Sequence, residues 1–267
     1  MDAPIEPIER EGVFADKSLY SHDVFLSSAP YGPITLVQPK KGFRAGSDAI
    51  FLAMAQAFPE DSHILDVGCG AGLAALTALS ANKNIKITGL EKQEFYADTA
   101  RHNAEINRFS DSFSVVQGDI KNALTLFPPD FFTHILTNPP YYAEGAGRKS
   151  PLQEKSISHQ AEDISLKIWI RSALSVLKNH GTIMTILRTE RLSDMLEALM
   201  GRAGGIVIFP LFSREDQNTA KRVIVKATKA SKTPPSLRKG ITIHDGDSNA
   251  YSAHAKQVIN GGAFLGI

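Results

Sequence analysis

Cysteine is almost absent from this sequence: Cys69 is the only one in 267 residues. A single cysteine excludes an intramolecular disulfide, and it excludes any zinc ribbon or iron–sulfur cluster built from several cysteines of this chain. The eight histidines show no metal-ligand spacing such as H-E-x-x-H. We therefore expect chemistry that needs no bound metal.

Long hydrophobic runs are missing as well. No stretch approaches the ~18 consecutive apolar residues that a membrane-spanning helix needs, and the acidic, proline-containing start at residues 1–11 does not resemble a signal peptide. With 43% hydrophobic and 21% charged residues, the composition is that of an ordinary globular protein. We expect no membrane partner and a cytoplasmic location.

The net charge of only +1 conceals a local excess of basic residues. No acidic residue lies between Asp216 and Asp245, where the sequence has Lys221, Arg222, Lys226, Lys229, Lys232, Arg238 and Lys239. Such a stretch could follow the phosphate backbone of a nucleic acid, or it could be the solvated edge of a sheet. The sequence alone does not choose between the two.

Strand and helix patterns alternate from His63 onward. This alternation is typical of a mainly parallel, doubly wound sheet with crossover helices. We predict an α/β fold: a Rossmann-like, mostly parallel, seven-stranded doubly wound sheet with an antiparallel edge strand. Residues 1–30 are expected to form an N-terminal arm, and residues 31–267 a single domain to which the segment 241–267 is appended.

A glycine-rich segment, Asp66 to Gly72, lies where a predicted strand ends and a helix begins. Glycines there let the backbone approach a ligand closely at a helix N-terminus. The spacing is G-x-G-x-G, which differs from the G-x-G-x-x-G of dinucleotide-binding proteins. Glu91 ends the next predicted strand, where a carboxylate can accept hydrogen bonds from ribose hydroxyls. Asp119 follows the third, where it can accept one from an adenine amino group.

Each acidic residue also has a plainer interpretation. Asp66 could receive the positive amino group of a cofactor or could orient the loop. Glu91 could be a solvated loop residue, Asp119 could cap the following helix, and Cys69 could be a small residue of the loop. Because ligands of such sheets bind beyond the carboxyl ends of the strands, we predict one cofactor crevice. Its candidate residues are Asp66, Gly68, Cys69, Gly70, Gly72, Glu91, Lys92, Asp119, Ile120 and Asn138.

The most specific segment is Asn138-Pro139-Pro140-Tyr141, at the end of the fourth predicted strand. A planar amino group attacks a sulfonium methyl poorly, because its lone pair is delocalised. Hydrogen bonds from its N–H groups to the Asn138 side chain and the Pro139 carbonyl would expose that lone pair, and the prolines would hold both acceptors rigid. Tyr141 would stack on the planar substrate. We predict Asn138, Pro139, Pro140 and Tyr141 as catalytic residues.

These segments resemble class I methyltransferases with an N-P-P-Y motif, over about residues 33–227. The resemblance implies S-adenosylmethionine as cofactor and methyl transfer to a planar amino nitrogen. Family members include adenine N6, guanine N2 and glutamine N5 enzymes, and the motif does not select among them. Methylation at pyrimidine carbon 5 is disfavoured, because Cys69, in the cofactor loop, is badly placed as a thiolate nucleophile.

A longer segment, from Gln38 to Ala53, is similar to the region before the cofactor loop in bacterial tRNA1(Val) (adenine(37)-N6)-methyltransferases. This resemblance implies an RNA substrate, methylated on adenine N6 at adenosine 37 of tRNA Val. The alternatives are the glutamine N5-methyltransferase of release factors and a guanine N2 rRNA methyltransferase. The residues expected to bind the substrate are Tyr141, Tyr142, Lys41, Arg44, Arg148 and His159.

Overall fold

The protein is described by a computed structural model. It covers residues 14, 16, 18–42, 44–140, 165–246 and 249–267. Among these residues no helix is both long enough and apolar enough to cross a membrane.

A central nine-stranded sheet organises the described part of the chain, and a two-stranded hairpin stands beside it. The hairpin strands β1 and β2 are Tyr20–Phe25 and Ile34–Pro39. The strands of the central sheet are β3 (His63–Val67), β4 (Lys86–Glu91), β5 (Phe113–Gln117), β6 (Phe132–Thr137), β7 (Leu177–Arg188), β8 (Ala203–Arg214), β9 (Arg222–Lys229), β10 (Ser236–Leu237) and β11 (Ile241–His244).

Helices cover both faces of the central sheet. They are α1 (Ser47–Ala53), α2 (Leu73–Ala81), α3 (Glu94–Ile106), α4 (Ala123–Leu126), α5 (Leu166–Val176), α6 (Leu192–Leu199) and α7 (Ala253–Ile259), with 3-10 turns at Ile120–Asn122 and Thr189–Arg191. One apolar cluster includes residues of α1, α2 and α7, and another includes residues of α5 and α6. The sheet therefore separates two helical layers.

The predicted fold class is confirmed. Along the sheet the strands follow the order β10, β8, β9, β7, β6, β3, β4, β5, and β11 also pairs with β8. One detail differs from the prediction, because the antiparallel strand β9 lies between β7 and β8 rather than at the edge. A sequence pattern identifies strands but does not show which strands pair with each other in the sheet. The predicted seven strands are present, and the short β10 and β11 extend the β8 side.

Residues at both ends of the described chain pack against the domain. Strand β1, inside the predicted arm of residues 1–30, pairs with β2 in antiparallel register. In the segment 241–267, β11 pairs with β8, and the backbone N–H groups of Leu265 and Ile267 donate to the carbonyls of Met54 and Ala55. The domain boundaries themselves stay predictions.

Candidate functional site

The register of the parallel strands brings the predicted site segments to one edge of the sheet. Val67 is paired with Thr137 on β6 and with Leu90 on β4, and Glu91 is paired with Gln117 on β5. The segments that follow these strands therefore leave the sheet side by side. They are the glycine loop, the turn after Glu91, the turn with Asp119 and the segment that begins at Asn138.

The glycine loop needs its glycines for two separate reasons. Gly68, Gly70 and Gly72 have φ angles of 72°, 54° and 88°, in the region that disfavours side chains. A Cβ atom on Gly72 would also lie 2.8 Å from Cε1 of Phe113. The loop can therefore bring its backbone close to the sheet, and α2 begins directly after it.

Glu91 is a structural anchor of this loop. One carboxylate oxygen, Oε2, accepts a hydrogen bond from the N–H of Gly70 at 3.0 Å, and Oε1 accepts one from Gln93 at 2.9 Å. The side chain is buried, and burial raises the pKa of Glu91 although these N–H groups oppose the shift. Glu91 is thus not a solvated loop residue. Its contact with a ribose stays a prediction.

Asp66 is the most perturbed acid of the site. It is 3% exposed, it accepts a hydrogen bond from the backbone N–H of Ala75 on α2, and its Oδ2 atom is buried with no hydrogen-bond partner among the described residues. Burial raises its pKa to about 7, opposed by the Ala75 hydrogen bond and reinforced by the nearby Glu91. The Ala75 contact is consistent with a role in orienting the loop. An unpartnered carboxylate oxygen also fits a cationic group of a cofactor.

Asp119 caps the turn that follows β5 and also pairs with Lys92. Its Oδ1 accepts from the N–H of Lys121 at 3.0 Å, and its Oδ2 lies 2.9 Å from Nζ of Lys92. Burial alone would raise the pKa of Asp119, but the hydrogen bonds from Lys121 and Lys92 lower it below the ordinary value. Ile120 is buried beneath this turn. The structure thus brings Lys92, Asp119 and Ile120 together at the predicted crevice.

Cys69 lies buried inside the loop. Its Sγ contacts the Gly70 carbonyl oxygen at 3.8 Å, and a Cβ atom added to Gly89 would be 2.7 Å from that sulfur. Burial, followed by the charges of Asp66 and Glu91, raises the pKa of the thiol well above its ordinary value. A protonated, buried thiol is a poor nucleophile, which agrees with its interpretation as a small loop residue.

Asn138 and the prolines follow β6 beside the glycine loop. Asn138 is half-buried, Pro139 is buried and Pro140 is exposed. Four of the predicted substrate-binding residues, Tyr141, Tyr142, Arg148 and His159, lie outside the described residues.

Sequence reasoning missed Trp169, the only tryptophan of the chain. Its ring lies over the glycine loop, because a Cβ atom on Gly68 would be 3.2 Å from Cη2 and Cζ2 of the indole. The indole Nε1–H donates to Oγ1 of Thr137 at 2.9 Å, and that hydroxyl donates to the Val67 carbonyl at 2.9 Å. Helix α5 is thereby attached to β3 and β6 where the site begins. The sequence did contain one signal for this residue, because it is a single tryptophan near the start of a predicted helix.

Asn103 on α3 was also missed. Its side chain is fully buried and makes three hydrogen bonds: Oδ1 accepts from Val37 N–H at 2.8 Å, and Nδ2 donates to the carbonyls of Val37 at 2.8 Å and Ala71 at 2.9 Å. One side chain therefore joins the hairpin strand β2 to the glycine loop. A buried asparagine within a helix leaves no distinct trace in a sequence pattern.

The two upstream cations occupy different environments. Arg44 Nη2 lies 2.9 Å from Oδ2 of Asp23 on β1 and 3.1 Å from the Ser21 hydroxyl oxygen. The buried Gln38 holds the same region, since it donates to Asp23 and accepts from Ala45 N–H. Lys41 is exposed. Arg44 thus joins the hairpin to the segment before α1, and substrate contacts by Arg44 and Lys41 stay predictions.

Much of the basic stretch from Lys221 to Lys239 has internal partners. Arg222 pairs with Asp48 at 2.9 Å, Lys226 donates to the Ile267 carbonyl, and Lys229 pairs with Asp130 at 3.0 Å. These three contacts hold strand β9 against its surroundings. The stretch as a whole is therefore not a free cationic surface.

No group of histidine, cysteine, aspartate and glutamate residues with a metal-binding arrangement occurs within the described ranges. The predicted crevice is instead bordered by carboxylates and by the glycine loop, whose N–H groups at Gly68, Cys69, Gly70 and Gly72 bond within the protein. This arrangement suits an organic cofactor with hydroxyl groups and positive charge.

The fold and this edge of the sheet define a Rossmann-like α/β protein with a ligand crevice beyond the carboxyl ends of its parallel strands. The family model named methyltransferase small domain matches residues 37–207, so the chain belongs to that family. The family assignment confirms the prediction of a methyltransferase and supports S-adenosylmethionine as the methyl donor.

Curated relatives carry a more specific name. A protein of Actinobacillus pleuropneumoniae serotype 7 named tRNA1(Val) (adenine(37)-N6)-methyltransferase is 28% identical over 227 residues, which cover 84% of this chain and 91% of the relative. A protein of Shewanella sp. (strain MR-4) with the same name is 25% identical over 209 residues, 78% of this chain and 87% of the relative.

Solved structures agree on the fold. The crystal structure of an Agrobacterium tumefaciens protein described as a predicted O-methyltransferase superposes with a TM-score of 0.68 at 24% identity, covering 81% of this chain and 97% of that chain. A SAM-dependent O-methyltransferase of Thermotoga maritima gives a TM-score of 0.53 at 16% identity, covering 79% and 78%. At these identities the likeness concerns the fold and not the methyl acceptor.

Proposed function

We propose that this protein transfers the methyl group of S-adenosylmethionine to the exocyclic N6 of an adenine in tRNA, in the cytoplasm. The observation that supports it best is the register of β3 against β6, which pairs Val67 with Thr137. Because of this register, the glycine loop and the segment that begins at Asn138 leave the same edge of the sheet at adjacent points. A cofactor on the loop and an amino group at Asn138 would then be neighbours.

The residues present fit the cofactor. The unpartnered Oδ2 of Asp66 could receive a positively charged amino group, and the loop glycines allow close backbone approach. Glu91 and Asp119 would present carboxylate oxygens to ribose hydroxyls and to the adenine amino group, respectively. Bound S-adenosylmethionine supplies a methyl group that is already activated on sulfur, so positioning accounts for most of the catalysis.

The role proposed for Asn138 is to bind and orient the acceptor amino group. Its side-chain oxygen and the Pro139 carbonyl would accept the two N–H groups and favour a tetrahedral nitrogen. The buried Pro139 keeps that carbonyl fixed. The nitrogen would then attack the methyl carbon as the carbon–sulfur bond breaks, and its extra proton would pass to solvent. No general base is required.

The names of the curated relatives support adenine N6 and tRNA as the acceptor. Position 37 of tRNA Val is proposed on the same ground. A base in an anticodon loop is already partly unstacked, so bringing it to Asn138 would cost little free energy.

The direct test is methylation of tRNA from a strain that lacks the gene, followed by nucleoside mass spectrometry. We expect new N6-methyladenosine in tRNA Val. Methylation of a release-factor glutamine or of a guanine in rRNA, with tRNA unchanged, would contradict the proposal and support those alternatives.

The variant Asn138→Ala tests the residue assignment. We expect activity to fall on the order of 100-fold or more, while cofactor affinity and melting temperature stay near wild type. The control is Asn84→Ala, which removes an exposed asparagine just before β4 begins, at the opposite end of that strand from Glu91, and should leave activity unchanged. If Asn138→Ala were as active as Asn84→Ala, Asn138 would have no role in binding or orienting the acceptor.

A further inference from the structure

A second polar surface lies on the face of the sheet covered by α5 and α6. One part of this surface is a cavity of about 340 Å³ between α4, α5 and the turn after α6. The cationic side chains that line it are Lys121, Arg171 and Arg202, and short polar residues such as Asn122, Thr125 and Ser175 lie among them. No acidic or aromatic residue of the described chain lines this cavity.

Arg171 is the most informative of these residues. Its Nε atom is buried, and it has no hydrogen-bond partner in the described part of the chain. A buried N–H of a charged group without an acceptor is rare, because no hydrogen bond then compensates for the loss of its hydration. The planar guanidinium matches the oxygens of a phosphate group better than a single water does. Since Nε itself is closed to solvent, an anionic ligand in the cavity would contact the other guanidinium nitrogens of Arg171, which lines it.

Arg202 connects this cavity to a second one. It also lines a space of about 600 Å³ together with Lys232, which is exposed on the turn between β9 and β10. The described residues that line the second cavity likewise include no carboxylate. We call Lys121, Arg171, Arg202 and Lys232 the basic strip.

The basic strip starts at the candidate site and leads away from it. Lys121 follows Asp119 by two residues, at the edge of the sheet where the cofactor crevice lies. Helix α5 starts near the same edge, where Trp169 covers Gly68, and Arg171 lies farther along that helix. A chain of phosphates could therefore follow the strip while one of its bases reaches the crevice.

We propose that the basic strip binds the phosphate backbone of the RNA substrate at nucleotides outside the active site. This inference rests on the proposed function in one respect, that the substrate is RNA. Cationic and short polar side chains without aromatic neighbours suit phosphate contacts, which supply affinity and register rather than base recognition.

The test compares two double variants that remove the same charge. Arg171→Gln with Arg202→Gln alters the strip. Lys83→Gln with Lys256→Gln alters two exposed lysines in the layer of α2 and α7, on the other face of the sheet. The affinity for full-length tRNA is measured by filter binding between about 50 and 200 mM salt, and cofactor affinity is measured in parallel.

We expect the strip variant to bind tRNA about 10-fold or more weakly at low salt. The slope of log K against log salt should fall by about 1.4–1.8, because each lost phosphate contact accounts for about 0.7–0.9. Cofactor affinity should not change, and the control pair should keep the wild-type slope. Arg171→Lys with Arg202→Lys keeps both charges and should restore most of the slope.

The outcomes separate this inference from the proposed function. If the wild-type protein methylates tRNA but the variant Arg171→Gln with Arg202→Gln keeps the wild-type salt slope, the role of the basic strip is refuted and the proposed function stands. If only the Arg171→Gln with Arg202→Gln variant loses tRNA binding, and the wild-type protein does not methylate tRNA, the basic strip is supported and the proposed function is refuted. Equal losses in both charge-removing pairs would also overturn the strip.

Discussion

Replacing Asn103 with alanine should destabilise the protein strongly, although Asn103 lies outside the predicted catalytic residues. The change would leave three backbone groups without partners: Val37 N–H, the Val37 carbonyl and the Ala71 carbonyl. Val37 and Ala71 are 0% and 2% exposed, so water cannot easily replace the lost side chain.

The magnitude follows from these contacts. At about 1 kcal/mol or more for each buried group left unsatisfied, Asn103→Ala should lower the free energy of unfolding by about 3 kcal/mol. For a protein of this size that corresponds to a melting temperature lower by about 6–12 °C. Cofactor affinity should fall too, because the Ala71 carbonyl belongs to the glycine loop.

Asn107, one helical turn later, provides a matched control. Its side chain also bonds to β2, through the N–H and carbonyl of Thr35, but these contacts are only partly buried. Asn107→Ala should therefore cost about 1 kcal/mol, since water can take over part of its hydrogen bonding. Urea unfolding of the three proteins measures the difference. If Asn103→Ala were as stable as Asn107→Ala, the inferred link from β2 to the loop would be refuted.

Three further predictions concern the site itself. Gly72→Ala combines a φ of 88° with a Cβ atom 2.8 Å from Phe113, so it should lower the free energy of unfolding by about 1–3 kcal/mol, whereas Gly46→Ala, with open space at its Cβ, should cost less in the same urea experiment. The pKa of Asp66, raised to about 7, means that the folded state holds this proton more tightly than the unfolded state. Its contribution to stability is therefore fully present below about pH 4 and is lost as the pH rises to about 7, at up to ~1.4 kcal/mol per pH unit. Asp66→Asn should flatten this part of the pH dependence in urea unfolding, and an unchanged profile would exclude Asp66 as its source. Finally, binding of S-adenosylhomocysteine should change the fluorescence emission of Trp169, the only tryptophan, because its ring lies over Gly68. If the spectrum did not change at a concentration that calorimetry shows to be saturating, the ligand would bind away from Gly68.

The alternation of strands and helices was sufficient to predict the fold class and the seven main strands. It could not place β9 between β7 and β8, because the pairing of strands depends on contacts between distant parts of the chain. Strand β1 was missed for a different reason: its partner β2 begins only nine residues after β1 ends, but the segment Tyr20–Phe25 is largely polar and mostly exposed or half-buried.

Loop chemistry was easier to predict than side-chain partners. Gly68, Gly70 and Gly72 were identified from spacing, and their positive φ angles give the physical reason for them. The residues that hold the loop in place were not identified, because Asn103 and Trp169 act through tertiary hydrogen bonds and packing. Conversely, the sequence left open whether the basic residues from Lys221 to Lys239 follow a nucleic acid or form a solvated edge, and in the structure Arg222 and Lys229 pair with separate acidic residues.

The backbone hydrogen bonds from Leu265 and Ile267 to Met54 and Ala55 have a consequence for folding. They join segments that are far apart in the sequence, so this part of the layer around α1 closes only when residues 265–267 reach it. Long-range contacts of this kind slow folding, because the loop entropy is lost before the contact energy is gained. Docking of the segment after α7 onto α1 is therefore expected to be a late step of folding, after α1 has packed on α2 and β7.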